Sequence, residues 1–526
     1  MPNKWKKTGV MGLAVMMMAG VFAGCGTSDT DKTDTAKSKE GMASPTASAN
    51  SAATQMPIVK DKLTLDFFIK DHATKPITGN EPPFVELEKR TNIHFNFIKT
   101  ADGFEDKFKI TLASGKLPDI MQSTSINDAK RYGMEGAFLP LDDLLKKFGP
   151  NILKVMKDRG IEKDVRAADG KIYGIPLINP EGIAHSYMVR QDWLDKLNLK
   201  APNTLDEYYN MLKAFRDNQL AGKDTIPLSI FASGAGGIYA IHNIMEAYNS
   251  NYEFMVKDNK YVYGPAEPGA KDAYAYVNKL YAEKLLDPEF GLLSKKQWEG
   301  KVSTGNVGSI IYDSARTDFF TDVLKKDKPG AKMVAVAPLQ GPDGKRHIMQ
   351  PNLFGNLVVL GKDTKNAEAA VKFFNYMFSD EGSMLLSFGL ENDSYVMKDG
   401  KPQYTDKMYE ADGLFKYGIG RVLPFNPNPA MPEQQRKGTL TADAIKLQAP
   451  YWVKSNPTLN FIDEENDIIK SKSTGVNDVR DKYFLRFVMG EEPFTNWDKY
   501  VNDLKKAGLD DLLKVYNDAY QRYLKN

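Results

Sequence analysis

Residues 169–193, DGKIYGIPLINPEGIAHSYMVRQDW, decide how the rest of the chain is read. Asp169-Gly170 is a turn signal, because glycine enters the left-handed backbone region at no steric cost. After it, Ile172, Tyr173, Ile175 and Pro176-Leu177 make a short extended run, and Tyr187-Met188-Val189 make a second strand that enters a helix near Asp192. A turn, two buried strands and a polar link between them predict a segment that carries the chain from one lobe to another.

Upstream, Leu63, Leu65, Phe67 and Ile69 alternate with their neighbours and predict a strand, with a loop from Asp71 at its end. A helix over 83–90, a strand over 93–98, a helix over 101–114 closed by Gly115 and a strand over 117–121 follow. The β-α-β-α-β alternation predicts an open α/β sheet. Ligands of such sheets bind beyond the carboxyl ends of the strands, which puts Asp71, His72, Gln122, Ser123 and Thr124 near a candidate site.

Three stretches carry a family resemblance. They are DGKIYGIPL at 169–177, followed by Tyr187, Arg190, Asp192-Trp193-Leu194 and Leu197; LASGKLPDI at 112–120; and LYAEKLLDPE at 280–289. Together they resemble the extracellular solute-binding proteins of family 1, the lipoprotein receptors of ABC importers for oligosaccharides, and the similarity runs from about Leu63 to Tyr523. The resemblance implies a two-lobe α/β, periplasmic-binding-protein-like (type II) fold with a hinge and an interlobe cleft. It divides the chain into a signal peptide at 1–24, a lipidated tether at 25–56, mainly N-terminal lobe at 57–180 and mainly C-terminal lobe at 181–350. Residues 351–526 then hold crossover segments and C-terminal helices that complete both lobes.

Composition agrees with a receptor of this kind. At 526 residues the chain exceeds what one hydrophobic core usually supports, so two lobes are expected. The 70 basic and 68 acidic residues nearly cancel and form no basic stripe, which argues against a nucleic-acid partner. The single cysteine, Cys25, excludes an intrachain disulfide and a multi-cysteine zinc site. Five scattered histidines show no close-paired spacing, so no histidine metal site and no cofactor are expected.

Lys4, Lys6 and Lys7 precede an apolar run over 9–24 that is shorter than the roughly 20 residues of a spanning helix, which reads as a signal peptide. The run ends Phe22-Ala23-Gly24-Cys25, which resembles a lipobox apart from the aromatic residue at 22. Residues 26–55 are rich in Ser, Thr, Ala, Asp and Lys, with almost no large apolar side chains, and cannot bury a core. The expectation is a monomer anchored by lipid on Cys25 at the extracellular face of the membrane. Its partners are an oligosaccharide and the permease subunits of an ABC transporter.

No enzyme constellation stands out: GxSxG and HExxH are absent and the folded body has no cysteine nucleophile. Two distant carboxylates forming a glycosidase pair remain the alternative, and a structural surface protein a third reading. A pyranose offers apolar C–H faces and a belt of hydroxyls, so its site needs aromatic platforms and planar polar groups. Strand ends and lobe crossings nominate Asp71, Tyr187, Arg190, Tyr312, Asp313, Arg316, Asn352, Phe354, Glu391, Asn392 and Trp452. Trp193 and Trp497 begin amphipathic helices and are assigned to packing. Some receptors that the chain resembles carry a calcium loop at the position of residues 216–228, but Leu220 and Ala221 interrupt the oxygen ligands here, so no calcium site is expected.

Overall fold

A computed structural model describes residues 56–72, 75–100, 102–179, 184–232, 234–350, 352–410, 412–431 and 439–525, which belong to one compact unit spanning Ser51–Asn526. The signal peptide, Cys25 and the tether up to residue 55 lie outside the described residues.

The alternating, aromatic-rich run LTLDFFIK forms the strand Leu63–Lys70, which directs Leu65, Phe67 and Ile69 into a core. It pairs in parallel with Ile93–Thr100 and with Ile120–Gln122. Parallel pairing needs a crossover, supplied by helices Pro82–Thr91 and Phe104–Ala113. The first of these begins with proline, whose missing N–H costs nothing there, and ends at Asn92 with φ 59. Phe354–Leu360 then lies antiparallel between Ile120–Gln122 and Ile175–Ile178. The sheet is therefore mixed, with its fourth strand delivered from late in the chain. Residues up to Ile178 and again from Phe354 to Met431 share this first core, in which the Phe95 and Phe373 rings meet edge to face at 4.8 Å.

A second core forms around the sheet Met333–Ala335, His185–Arg190, Val307–Asp313 and Ile226–Ser229. Gly308 sits under Trp193 and Phe215, where a Cβ would meet ring atoms at 2.5 and 2.6 Å. Only glycine lets the strand lie that close, and Trp193 packs there as expected. Helices Pro268–Ala282, Asp463–Met489, Trp497–Lys506 and Leu509–Lys525 complete this core, with Tyr274 against Phe484 and Trp497. In the last of the connections Thr495 lies inside a 3-10 turn, Phe494–Asn496, and does not cap the helix Trp497–Lys506 that follows.

The chain crosses between the two cores several times. The opening stretch does so first, with Ile175–Ile178 in one sheet and His185–Arg190 in the other. Later, Ile348–Met349 pairs in parallel with Trp452–Val453 as a two-stranded ribbon outside both sheets. Just beyond it, Asn456 bonds Phe254 O and Val256 N–H of the second lobe, while Thr458 N–H donates to Asp164 of the first. Asn460 fastens the same segment: its Oδ1 accepts from Lys130 Nζ at 2.6 Å and its Nδ2 donates to Arg166 O. Lys130 is 3% exposed, and burial pulls its ammonium down to about 7.

Candidate functional site

A cavity of about 370 Å³ opens where the first and second crossings meet the second lobe. One wall comes from a glycine-rich stretch, which by its glycines alone reads as a flexible loop. Gly234–Ile241 instead forms a 3-10 helix that runs into the helix His242–Ala247. That arrangement places Tyr239, His242 and Glu246 on one face, at helical spacings of three and four. The strand His185–Arg190 supplies His185, and the loop before Phe254 supplies Asn251 and Tyr252. Asp313 ends its strand at the same cavity, and the second crossing adds Met349, Gln350 and Asn352.

The aromatic part of the wall is continuous. Tyr239 and His242 stack with centroids 4.7 Å apart and planes 7° apart, and Tyr252 and His185 meet Tyr239 edge to face at 4.9 Å each. Tyr239 is 38% exposed, so its ring remains open to a ligand. His242 lies deeper; its Nδ1–H donates to Tyr239 O at 2.8 Å, which leaves Nε2 as the unprotonated acceptor. Desolvation lowers His242 to about 3, helped by its neighbour His185, and lowers His185 to about 4. Both imidazoles are neutral at physiological pH.

Glu246 is the other buried group. Its Oε1 accepts from Met349 N–H at 3.2 Å, while Oε2 has no partner among the described residues. Burial pushes its carboxyl up to about 8, so it stands protonated at neutral pH and offers an O–H. His185 Nδ1 is also buried without a partner among the described residues. Behind it, Asn243 Nδ2 and Gln448 Nε2 both donate to His185 O, which fixes the strand end. Unpartnered buried polar atoms beside an open aromatic ring are costly in an empty protein and suited to a hydroxyl-bearing ligand.

The residues nominated from the sequence divide sharply. Asp313 and Asn352 line the cavity, and Asp313 Oδ1 also caps the following 3-10 turn through Ala315 N–H. Asn352 further lines an adjoining cavity of about 420 Å³, to which Phe354 contributes from its place in the first core. Tyr312 stands behind His185, at 5.5 Å, packed against Trp298 at 4.9 Å.

Others are corrected by burial and bonding. Tyr187 is 1% exposed and packs edge to face on Tyr208 inside the second core. Arg190 is 3% exposed; it clasps both oxygens of Asp192 and donates to Gly305 O, so it braces a strand end. Arg316 lies 3.7 Å over the Phe319 ring and pairs with Glu299. Asp71 is consumed by Arg421, with Ile77 N–H on its other oxygen. Glu391 and Asn392 form an exposed turn beside the hairpin Tyr395–Lys398 and Lys401–Tyr404 of the first lobe, away from both cavities. Trp452 is half-buried in the crossing ribbon opposite Ile348 and borders neither cavity.

Sequence reasoning missed His185, Tyr239, His242, Glu246 and Tyr252. The signal was present in the Tyr239, His242 and Glu246 spacing, obscured by the glycines before it. Gln122 and Ser123, which strand-end logic puts near a candidate site, do not line this cavity. Gln122 Oε1 accepts from Lys70 N–H and Ser123 Oγ from Leu357 N–H, so both serve the first sheet.

Comparison with known proteins supports this two-lobe reading. The chain is 25% identical over 564 residues to the fructooligosaccharide ABC transporter substrate-binding protein FusA of Streptococcus pneumoniae serotype 4, covering 98% of each. It is 27% identical over 553 residues to the polygalacturonan/rhamnogalacturonan-binding protein YtcQ of Bacillus subtilis strain 168, covering 99% of this chain and all of that one. Among solved structures, the alginate-binding protein AlgQ2 without calcium ion superposes with a TM-score of 0.69 at 25% identity, over 88% of this chain and 99% of its own. The sequence pattern of one family matches residues 73–384, more than half of the chain, and by that match the chain belongs to the bacterial extracellular solute-binding proteins.

Proposed function

We propose that this receptor captures an oligosaccharide in the cavity between its lobes and delivers it to the permease of an ABC importer. The observation that carries the reading is the open ring of Tyr239, stacked on neutral His242 and set beside the unpartnered, protonated Glu246. A sugar ring lays its C–H face on such a platform while its hydroxyls meet the buried polar atoms. FusA and YtcQ, by their names, bind oligo- and polysaccharides, which supports the same class of ligand here.

The test is calorimetry with oligosaccharides of plant and microbial origin, followed by recovery of the glycan. Binding with the glycan returned intact is expected; released product would favour the glycosidase alternative. With a bound glycan in hand, Tyr239→Ala is expected to weaken affinity by ~1 kcal/mol or more, about fivefold. Unchanged affinity would remove Tyr239 from the site.

The anchor is part of the proposal and rests on sequence alone. Cys25 as the acylated N-terminus would hold a monomer at the outer face of the membrane, and the second acyl chain of a diacylglyceryl group supplies the stability a single chain lacks. Cys25→Ala is expected to release the protein into the medium and abolish fatty-acid labelling. Retention of label on the variant would place the lipid elsewhere.

A further inference from the structure

The aromatic cavity and the adjoining one share Gln350 and Asn352 in their walls, and their electrostatics differ. Among the described residues that line the aromatic cavity, the ionisable groups are His185, His242, Tyr239, Tyr252, Glu246 and Asp313, and none is a lysine or arginine. A carboxylate placed there would find no cation and would face Asp313. The adjoining cavity has the opposite character. Lys157 and Arg159 reach it from the end of the helix Pro150–Asp158, and Lys454 reaches it from the crossing after the ribbon.

The acids on the same wall are already engaged. Asp158 pairs with Lys154, and Asp164 accepts from Thr458 N–H while lying 7% exposed. Arg159 is held by Asn426 Oδ1 through Nε and Nη2. Lys157 and Lys454 are exposed and face the cavity from two different segments, one of the first lobe and one of the crossing. Between the two cavities stand Gln350 and Asn352, neutral amides that serve either kind of neighbour.

We propose that the adjoining cavity is an anion subsite, in which Lys157, Arg159 and Lys454 receive a carboxylate or sulfate carried by one unit of a glycan whose neighbouring, uncharged unit lies on Tyr239. The proposal rests on the oligosaccharide reading and deepens it: the ligand has polarity, with an acidic unit toward the first lobe and the crossing and a neutral one toward the second lobe. Placing charge in one of two adjoining cavities also fixes the direction in which the chain lies, since reversal would set the anion against Asp313.

Paired glycans test it. Oligogalacturonides and their carboxyl-reduced, neutral counterparts form one pair, and sulfated and desulfated oligosaccharides of one backbone form a second; binding is measured by calorimetry at low and high salt. An acidic member is expected to bind about tenfold more tightly than its neutral counterpart, with the preference shrinking as salt screens it. In Lys157→Ala/Lys454→Ala the preference disappears while the neutral counterpart binds as before. Both lysines are exposed, so the variant folds. Preference confined to the first pair identifies a carboxylate, and to the second a sulfate. Equal binding of acidic and neutral members, or a preference that survives the double substitution, overturns the subsite and leaves the oligosaccharide reading standing. Absence of binding by every glycan overturns both.

Discussion

Asp71→Ala is expected to lower the free energy of unfolding by about 3–5 kcal/mol, the cost of stranding a buried charge, and to leave the ligand affinity of the folded protein unchanged. The Asp71 side chain is 2% exposed and that of Arg421 14%, and their atoms meet at 2.6 Å. Asp71 Oδ1 also accepts from His72 N–H, and Oδ2 from Ile77 N–H at 2.8 Å. One carboxylate thus joins the end of the first strand to a segment some 350 residues later, whose Phe415 ring lies 5.1 Å from the Arg421 guanidinium. Without it, Arg421 stays largely desolvated and unpaired, and the Ile77 N–H loses its acceptor. Asp71→Asn keeps an acceptor for Ile77 and is expected to cost less. Urea unfolding decides: a loss below about 1 kcal/mol, or a loss of binding at unchanged stability, would return Asp71 to the ligand site from which its bonding excludes it.

Glu246→Gln is the second large effect, and it is a pH dependence. The folded protein holds the Glu246 proton up to about 8, against 4.5 for the free side chain, because burial penalises the carboxylate. Between those values the native state binds more protons than the unfolded chain, so the Glu246 contribution is complete below 4.5 and is lost as pH rises through 8. The loss is about 1.4 kcal/mol for each pH unit in that window. Glutamine keeps the acceptor for Met349 N–H and does not titrate. The stability of the variant relative to the parent is therefore expected to climb steadily from about pH 5 to pH 8. A difference that stays flat would mean that Glu246 is ionised at neutral pH.

His185 and His242 act in the opposite sense. Their folded values, about 4 and about 3, lie below the 6.5 of free imidazole, so the stability that they contribute is present above 6.5 and lost as pH falls. Comparing variant with parent cancels their effect. The parent alone has its stability eroded from both sides, by Glu246 as pH rises and by the two histidines as it falls.

These two residues also show how far the sequence reaches. The alternation of Leu63, Leu65, Phe67 and Ile69 with Thr64, Asp66 and Phe68 gave the first strand, because side chains on a pleated sheet alternate faces whatever lies around them. The same local logic gave the crossing at 169–193, and it applies to Thr204, whose hydroxyl caps a helix by accepting from Glu207 N–H while the Glu207 carboxylate reaches Asn203 N–H. The open α/β sheet followed from such stretches, and the receptor family from the resemblance of its quoted motifs. What sequence alone determined, then, is what depends on neighbours within a few residues.

The site depends on neighbours that are far apart in the chain. Whether a polar side chain faces a ligand or is spent on the fold is settled by a partner such as Arg421 for Asp71 or Gly305 for Arg190, and no local pattern names that partner. Tyr187 and Tyr239 are the same residue type on comparable apolar surroundings, yet one is 1% and the other 38% exposed, since packing onto Tyr208 closes over the first and the cavity leaves the second open. The protonation of Glu246 and the neutrality of His185 and His242 are likewise products of burial, which exists only once three separate segments enclose them. Local periodicity fixed the elements; desolvation and long-range pairing, which only the tertiary structure creates, decided which side chains are left to bind.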